Sequence, residues 1–256
     1  MKIRLDKFLS LTGAGTRSEV KKIIRKGSVS VNGEPVTDAG TIIDTQKDPV
    51  QYDGRYLTYE EHVYYMLNKP AGYVSATRDS RQKTVLELVP ECGRRELFPA
   101  GRLDMDTEGL LLITDDGKLA HRLLSPSHHV DKTYLAYVSG FVTKEDIAAF
   151  HEGIDIGDEK RTLPAVLQVI SAGEPGEKPE SEVSVTIHEG RFHQIKRMFE
   201  ARGKEVRYLK RIRMGPLVLD KNLKTGECRA LTGEELSALM HADCDKTDHE
   251  LYEEQF

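Results

Sequence analysis

Three carboxylates, Asp104, Asp106 and Glu108, occupy alternate positions of one short segment of the chain. An ionised carboxylate can act in catalysis as a nucleophile or as a proton abstractor. Carboxylates at this spacing, followed by Gly109 and with Asp115 at the twelfth position, also match part of a calcium-binding loop. A third interpretation is that these acidic side chains only decorate an exposed turn.

The residues around the carboxylates argue against calcium. Leu110–Ile113 is an apolar run that predicts a buried strand, where a calcium loop would need further oxygen ligands. Pro99 and Gly101 also disfavour the helix that enters such a loop. The choice between a catalytic carboxylate and a decorated turn stays open on this segment alone.

Other residues that often bind metals lack a suitable arrangement. His128, His129 and His193 have no cysteine or carboxylate nearby at ligand spacing, so we expect them to be structural or to face phosphate. The sequence contains three scattered cysteines, Cys92, Cys228 and Cys244. They form no Cys-x-x-Cys pair, so neither a zinc knuckle nor a disulfide framework is indicated. We therefore expect neither a metal nor a cofactor.

Strands and helices alternate irregularly around the carboxylate segment. Apolar alternation predicts strands at Val63–Leu67, Leu110–Thr114, Thr133–Val138, Val166–Ile170 and Val183–His188. Helical spacing predicts helices at Lys118–Leu124, Lys144–His151 and His193–Arg202. This order favours an α+β fold with a mixed, mainly antiparallel sheet.

A small unit precedes this region. Thr16 and Glu19 form a capping box that starts a helix, and Asn32-Gly33 predicts a hairpin after it. A shorter helix is expected near Leu5–Leu11, and Asp53–Glu61 has the polar composition of a linker. The exposed side of the second helix is basic; its cations are Arg17, Lys21, Lys22, Arg25 and Lys26.

The charge distribution indicates a polyanionic partner although the whole chain has a net charge of −5. Residues 1–30 carry a net charge of +6 and residues 191–213 a net charge of +7. Local fields of this kind attract nucleic acid more than the average charge would suggest. Residues 234–256 carry −7, and we expect this acidic tail to be a frayed helix or a disordered end. No apolar run approaches the length of a membrane span and no leader sequence is recognised, so we expect a cytoplasmic protein.

The first 58 residues resemble the S4-type RNA-binding module, from Arg4-Leu-Asp-Lys-Phe-Leu through the capped basic helix to the Asn32-Gly33 hairpin. The resemblance implies that a helix pair binds structured RNA through its phosphates, with little reading of bases. It divides the chain into an S4 domain at 1–58, a catalytic domain at 59–233 and an acidic tail at 234–256.

Four motifs that occur in one order resemble the RsuA-type family of pseudouridine synthases over residues 60–233. They are Tyr64–Val74, Gly101–Leu110, His128–Tyr134 and Glu189–Met198. The resemblance implies isomerisation of a uridine, whose base moves from an N1 to a C5 glycosidic link without metal or redox cofactor. It also implies a mainly antiparallel sheet with a cleft across it.

The resemblance assigns roles to individual residues. Asp104 matches the catalytic aspartate, Lys196 its basic partner, and Tyr134 the tyrosine that packs against the uracil. Arg102 is expected to fill the gap that an extruded base leaves, and Leu217 to supply the opposite apolar face. Asp106 and Thr107 are expected to brace the loop by accepting backbone N–H groups.

The RNA contacts and the substrate follow from the same resemblance. Lys69, Arg191 and Arg197 are expected to contact RNA, although Lys69 fits a structural role equally well. We expect a monomer that acts on small-subunit ribosomal RNA, or on a precursor particle that contains it. The alternatives are a large-subunit ribosomal RNA and a non-catalytic assembly factor. The retained Asp104, Tyr134 and Lys196 argue against the assembly factor.

Overall fold

The computed structural model describes residues 1–90, 96–125, 128–172 and 180–241. Cys92, Cys244 and the tail beyond residue 241 lie outside these ranges. The chain divides into two compact units, one of Met1–Val63 with Pro90–Leu97 and one of Tyr64–Val89 with the residues from Phe98 onward. No helix in the described ranges is long and apolar enough to cross a membrane.

The first unit contains two helices and two small sheets. Its elements are β1 (Lys2–Arg4), α1 (Leu5–Leu11), α2 (Arg17–Arg25), β2 (Val29–Val31), β3 (Glu34–Pro35), β4 (Ile42–Asp44), β5 (Val50–Tyr52) and β6 (Arg55–Leu57). The strands pair as β1–β4 and in the order β3-β2-β5-β6. The predicted capping box, basic helix and hairpin are all confirmed.

The predicted linker at Asp53–Glu61 is partly wrong. Asp53-Gly54 is a tight turn with positive φ at both residues, and it joins β5 to β6 in a hairpin. Aspartate followed by glycine favours this kind of turn. The first unit therefore extends to Val63 rather than ending at residue 58.

The second unit is a mixed sheet with helices. Its elements are β7 (Tyr64–Lys69), a 3₁₀ turn (Val85–Leu88), β8 (Phe98–Pro99), β9 (Glu108–Thr114), α3 (Gly117–Leu124), β10 (Lys132–Ser139), α4 (Lys144–Glu152), β11 (Val166–Ala172), β12 (Glu180–Ile187), α5 (Gln194–Glu200), β13 (Glu205–Met214), β14 (Leu217–Val218), β15 (Cys228–Ala230) and α6 (Gly233–His241). Within the described ranges the main path of the sheet runs β11-β12-β10-β13-β9-β7-β15, with β8 on β9 and β14 on β13. The β9–β13 pair is parallel and the other named pairs are antiparallel, which confirms the predicted α+β class.

The parallel β9–β13 pair depends on Gly109. This residue has a φ of 99°, and a Cβ built on it would lie 2.2 Å from the carbonyl oxygen of Arg211. Any side chain here would force the two strands apart, since backbone atoms cannot yield as a flexible side chain can. Gly109 thus fixes the start of β9, and with it the end of the loop that carries Asp104 and Asp106.

The acidic tail was predicted to begin at residue 234, and this is wrong for its first part. Glu235 and Thr232 cap α6 by exchanging hydrogen bonds between side chain and backbone. Leu239 on this helix is fully buried in the core that contains Leu112 and Leu217. Burial of Leu239 makes α6 part of the second unit, so this unit includes the described residues up to His241.

Candidate active site

The loop between β8 and β9 presents two of the three carboxylates to a cleft. The cleft has a volume of about 370 Å³, and its lining residues are Ala71, Gly72, Asp104, Met105, Asp106, His193 and Lys196. The Asp104 side chain is 28% exposed, whereas that of Asp106 is 72% exposed. Asp104 is therefore the better shielded of the two from water.

The buried Lys69 holds this loop in shape. Its side chain is 0% exposed, and its ammonium donates hydrogen bonds to four carbonyl oxygens. The acceptors are Pro70 at 3.0 Å, Asp104 at 3.0 Å, Met105 at 3.2 Å and Thr107 at 2.8 Å. Three of these carbonyls belong to the loop itself, so one side chain fixes the backbone on both sides of Asp106.

The buried position of Lys69 changes the pKa of its ammonium group. Burial lowers the pKa of Lys69 to about 8, against the opposing effect of the carboxylates of Asp106, Glu108 and Asp104. The expected contact of Lys69 with RNA is thus wrong, because the ammonium is enclosed and its donors are taken by backbone carbonyls. Lys69 therefore has a structural role, which the sequence had left open beside the RNA contact.

The expected bracing by Asp106 and Thr107 is also wrong. The Asp106 carboxylate points to Lys196, and the buried Thr107 Oγ1 has no hydrogen-bond partner within the described ranges. The bracing comes from Lys69 and from Ser75, whose hydroxyl accepts from the N–H of Leu103 at 3.0 Å and donates to its carbonyl at 2.9 Å.

Lys196, on α5, lies between the two aspartates. Its Nζ is 2.6 and 2.8 Å from the carboxylate oxygens of Asp106 and 3.5 Å from Oδ2 of Asp104. Burial tends to raise the pKa of Asp106, but the hydrogen bond and charge of Lys196 outweigh burial and lower it. Lys196 and Asp104 are brought together as predicted, with Asp106 as the nearer partner of the lysine in the unliganded protein.

His193 was expected to be structural or to face phosphate, and the structure places it in the cleft beside Asp104. Its Nε2 lies 3.6 Å from Oδ1 of Asp104, on the side opposite to the oxygen nearest Lys196. The residue precedes α5 in a left-handed conformation with φ 50° and ψ 34°. This conformation is uncommon outside glycine and is often found at functional sites. Only its place within Phe192-His-Gln194 could have indicated it.

Tyr134 and Leu217 do not line this cleft. Tyr134 is buried on β10, opposite Val185 and Arg211 in the neighbouring strands. Leu217 is 1% exposed and packs in the hydrophobic core with Met214 and Leu110. The predicted role of Leu217 as an apolar face for the base is therefore corrected to a core role, since its surface is already covered.

The two arginines that flank Lys196 bind the protein itself. Arg191 donates to Glu189 and to the carbonyls of Lys160 and Arg161, and Arg197 donates to Asp158 and to the Ile156 carbonyl. In the unliganded protein these bonds hold both guanidinium groups against the protein, and the expected contacts of Arg191 and Arg197 with RNA stay predictions. Arg102, in contrast, is exposed, and it precedes Asp104 by two residues on the same loop.

The predicted basic face of the first unit is accessible to a partner. All five cations, Arg17, Lys21, Lys22, Arg25 and Lys26, are exposed on or directly after α2, while Val20 and Ile24 on the same helix are buried. The helix therefore separates its apolar and basic sides as an RNA-binding helix must.

The geometry of the cleft suits acid–base or nucleophilic chemistry. A shielded carboxylate stands between an ammonium and an imidazole, on a loop whose backbone is anchored from beneath. Such a carboxylate can attack a carbon centre or take a proton, while the lysine stabilises its charge.

Comparison with known proteins agrees with this chemistry. The sequence pattern of RNA pseudouridylate synthases matches residues 63–201 and that of the S4 domain matches residues 3–48. The chain is 45% identical to the "Uncharacterized RNA pseudouridine synthase YtzG" of Bacillus subtilis (strain 168), covering 93% of this chain and 98% of that protein. It is 42% identical to "Ribosomal small subunit pseudouridine synthase A" of Escherichia coli (strain K12), covering 93% and 100%.

A solved structure supports the same assignment. The crystal structure of a pseudouridylate synthase aligns with a TM-score of 0.63 and 40% sequence identity, over 93% of this chain and 99% of that one. The sequence matches extend through the S4 domain as well as the synthase domain. The chain therefore belongs to the RNA pseudouridylate synthase family, and it is a pseudouridine synthase with an S4 domain at its N-terminus.

Proposed function

We propose that this pseudouridine synthase modifies one uridine of the 16S ribosomal RNA, as a cytoplasmic monomer acting on the RNA or on a precursor of the small subunit. The observation that supports this target is the similarity to the small-subunit synthases of Escherichia coli and Vibrio vulnificus. Each is 42% identical and is matched over at least 99% of its length, so both domains correspond.

In the proposed reaction Asp104 acts on a uridine whose base has left the RNA stack. The bond between N1 and C1′ breaks, the base turns, and a bond between C5 and C1′ forms. The hydrogen on C5 leaves as a proton and N1 gains one, so no oxidant or reductant is needed. Asp104 serves either as nucleophile at the sugar or as the group that takes a proton.

The other residues support this step. Lys196 stabilises the charge of Asp104, and in the unliganded protein it is shared with Asp106. Arg102 is exposed on the loop of Asp104 and occupies the space that the extruded base vacates, because a planar cation can both stack and pair with phosphate. Tyr134 is buried on β10 and does not line the cleft in the unliganded protein, so its packing against the uracil requires that substrate binding uncovers the ring.

Loss of the C5 hydrogen gives a direct test of the reaction and of its target. We expect the enzyme to release one equivalent of tritium per molecule from 16S RNA that carries [5-³H]uridine, and none from 23S RNA prepared in the same way. Sequencing the product for pseudouridine locates the site. Release from 23S RNA alone would contradict the small-subunit target, and release from neither RNA would contradict the enzymatic role.

The basic face of α2 predicts a salt dependence of binding. Each phosphate contact contributes roughly 0.7–0.9 to the slope of log affinity against log salt. Replacing Lys21, Lys22, Arg25 and Lys26 by alanine should lower the magnitude of this slope by about three, as measured by filter binding from low to moderate salt.

A matched variant separates contact from net charge. It removes the same number of exposed cations elsewhere, all of them lysines; these are Lys118, Lys144, Lys221 and Lys224. We expect its slope to stay near that of the unmodified enzyme. Equal changes in both variants would show that only the total charge matters and that α2 does not touch RNA.

A further inference from the structure

Phe192 is an exposed aromatic residue at the edge of the cleft. Its side chain is 73% exposed, although the ring is one of the largest apolar groups that a protein can place in water. A single exposed apolar residue is common on protein surfaces and carries no conclusion by itself. The surroundings of Phe192 give three further observations.

The first observation is that Phe192 is stacked on a residue of the site. Its ring lies 3.8 Å from the His193 ring, measured between centroids, with 18° between the planes. His193 lines the cleft, and its Nε2 is 3.6 Å from the Asp104 carboxylate. The two rings are stacked face to face, so they form a short stack that begins beside the carboxylate and ends at the exposed ring of Phe192.

The second observation is that the backbone beneath the rings is fixed. Gln194 is buried and accepts from the N–H of Arg191 at 2.9 Å while donating to Glu189 at 3.0 Å. Arg197 donates to the carbonyl of Phe192 at 3.2 Å. Phe192 is therefore exposed on a rigid frame and not as part of a loosely held loop.

The third observation is the left-handed backbone of His193, which has φ 50°. A non-glycine residue in this region is strained, and the surrounding structure must stabilise it. The buried Gln194 and the helix that begins there supply this stabilisation. The strain directs the imidazole into the cleft and leaves the Phe192 ring stacked on its outer side.

We propose that the Phe192–His193 ring pair is a stacking platform for the nucleobase next to the target uridine in the RNA chain. The inference rests on the proposed function, since a uridine held over Asp104 would place its neighbour along the outward ring surface. Bases of any identity stack on aromatic side chains, so the platform positions the RNA chain without requiring one sequence. Phe192 is accordingly a positioning residue that does not touch the reacting atoms.

The test combines fluorescence with kinetics on the full-length enzyme. The probe is an RNA that contains the uridine found by tritium release, with 2-aminopurine placed at either neighbouring position. We expect binding to quench the fluorescence at one neighbour. Phe192→Ala should abolish this quenching and raise KM about ten- to a hundredfold, with kcat changed by only a few-fold.

Two conservative variants separate stacking from apolar packing. Phe192→Trp should restore quenching and KM, whereas Phe192→Leu, which is apolar without a π-face, should behave like alanine. Phe141→Ala removes another exposed phenylalanine and should change neither quantity. Each variant should keep the melting temperature of the unmodified enzyme, because the ring that is removed is exposed.

Several outcomes would overturn the proposal. They are an unchanged KM in Phe192→Ala, quenching that persists in Phe192→Leu, and a fall in kcat at unchanged KM. Each leaves the proposed function intact, because that function is judged by tritium release from the unmodified enzyme. Conversely, a target other than 16S RNA would change the probe used and would leave the fluorescence test of the platform available.

Discussion

Asp104→Asn should reduce tritium release by three orders of magnitude or more while the affinity for RNA stays within a few-fold. The amide has nearly the shape of the carboxylate but cannot ionise, so it can neither attack the sugar nor accept a proton. Losses of about this size or larger follow removal of a nucleophile in well-studied enzymes. Single-turnover tritium release and filter binding on the same preparation measure the two quantities separately.

Asp106→Asn is the control for this result. Asp106 lies in the same loop and binds the same lysine, but its side chain is 72% exposed. The loop backbone is held by the hydrogen bonds of Lys69 and not by Asp106. Removing its charge leaves Lys196 with Asp104, 3.5 Å away, as the remaining carboxylate partner. We expect activity to fall only a few-fold. Equal losses in the two variants would mean that the choice of Asp104 within the pair is unsupported.

The strands and helices with clear apolar periodicity could be predicted from the sequence. β9 and β10 were expected within two residues of their observed bounds, because their buried faces are read directly from the order of apolar residues. The capped helix α2 was expected for the same kind of reason, since a capping box is a local interaction.

β13 was missed because its charges were interpreted only as a surface for RNA. The strand contains Arg211, which is 2% exposed and donates to the carbonyl of Leu110. A buried arginine depends on a partner that is distant along the chain, and composition alone does not reveal it. α6 was expected only as a frayed helix or a disordered end, because the acidic composition obscured the capping box that Thr232 and Glu235 form.

The site itself was predicted only in part. The pairing of Asp104 with Lys196 followed from the family motif, but the closer contact of Lys196 with Asp106 spans 90 residues and depends on how α5 packs. The sequence predicted only a structural or phosphate-facing role for His193. Its place beside Asp104 depends on a left-handed backbone conformation before α5, which the residue type alone does not determine. Likewise, the enclosed position of Lys69 results from the pairing of β7 with β9, a long-range contact.

Lys69→Met should reduce activity by about a hundredfold or more with little change in the melting temperature. The ammonium donates to the carbonyls of Asp104, Met105 and Thr107, and methionine has no donor to replace it. The freed carbonyls would turn toward water and displace Asp104, and a shift of about 1 Å can cost a hundredfold in rate. Stability should change less, because the lost hydrogen bonds are offset by removal of a charge that burial disfavours.

The pH dependence of the unmodified enzyme provides a second measurement. With a pKa of about 8 in the folded protein, Lys69 loses its charge and one of its three donors as pH rises through 8. We expect the rate to decline there. The ordinary lysine pKa of 10.5 applies to the unfolded chain, which binds more protons than the folded chain between pH 8 and 10.5. The contribution of Lys69 to stability therefore increases with pH over this window. Titration of Lys69 does not unfold the enzyme above pH 8, so the expected decline in rate reflects a change in the active site.

The matched control for Lys69 is Lys132, the other buried lysine whose pKa is lowered to about 8. Burial is the main cause there, followed by the charge of Arg211. Its ammonium donates to the carbonyl of Val130 and not to the site loop. Lys132→Met should retain most of the activity and keep the decline above pH 8. If the decline in rate above pH 8 disappears in Lys132→Met, the decline is due to Lys132. If Lys69→Met has a normal rate, the loop positions Asp104 without the hydrogen bonds of Lys69.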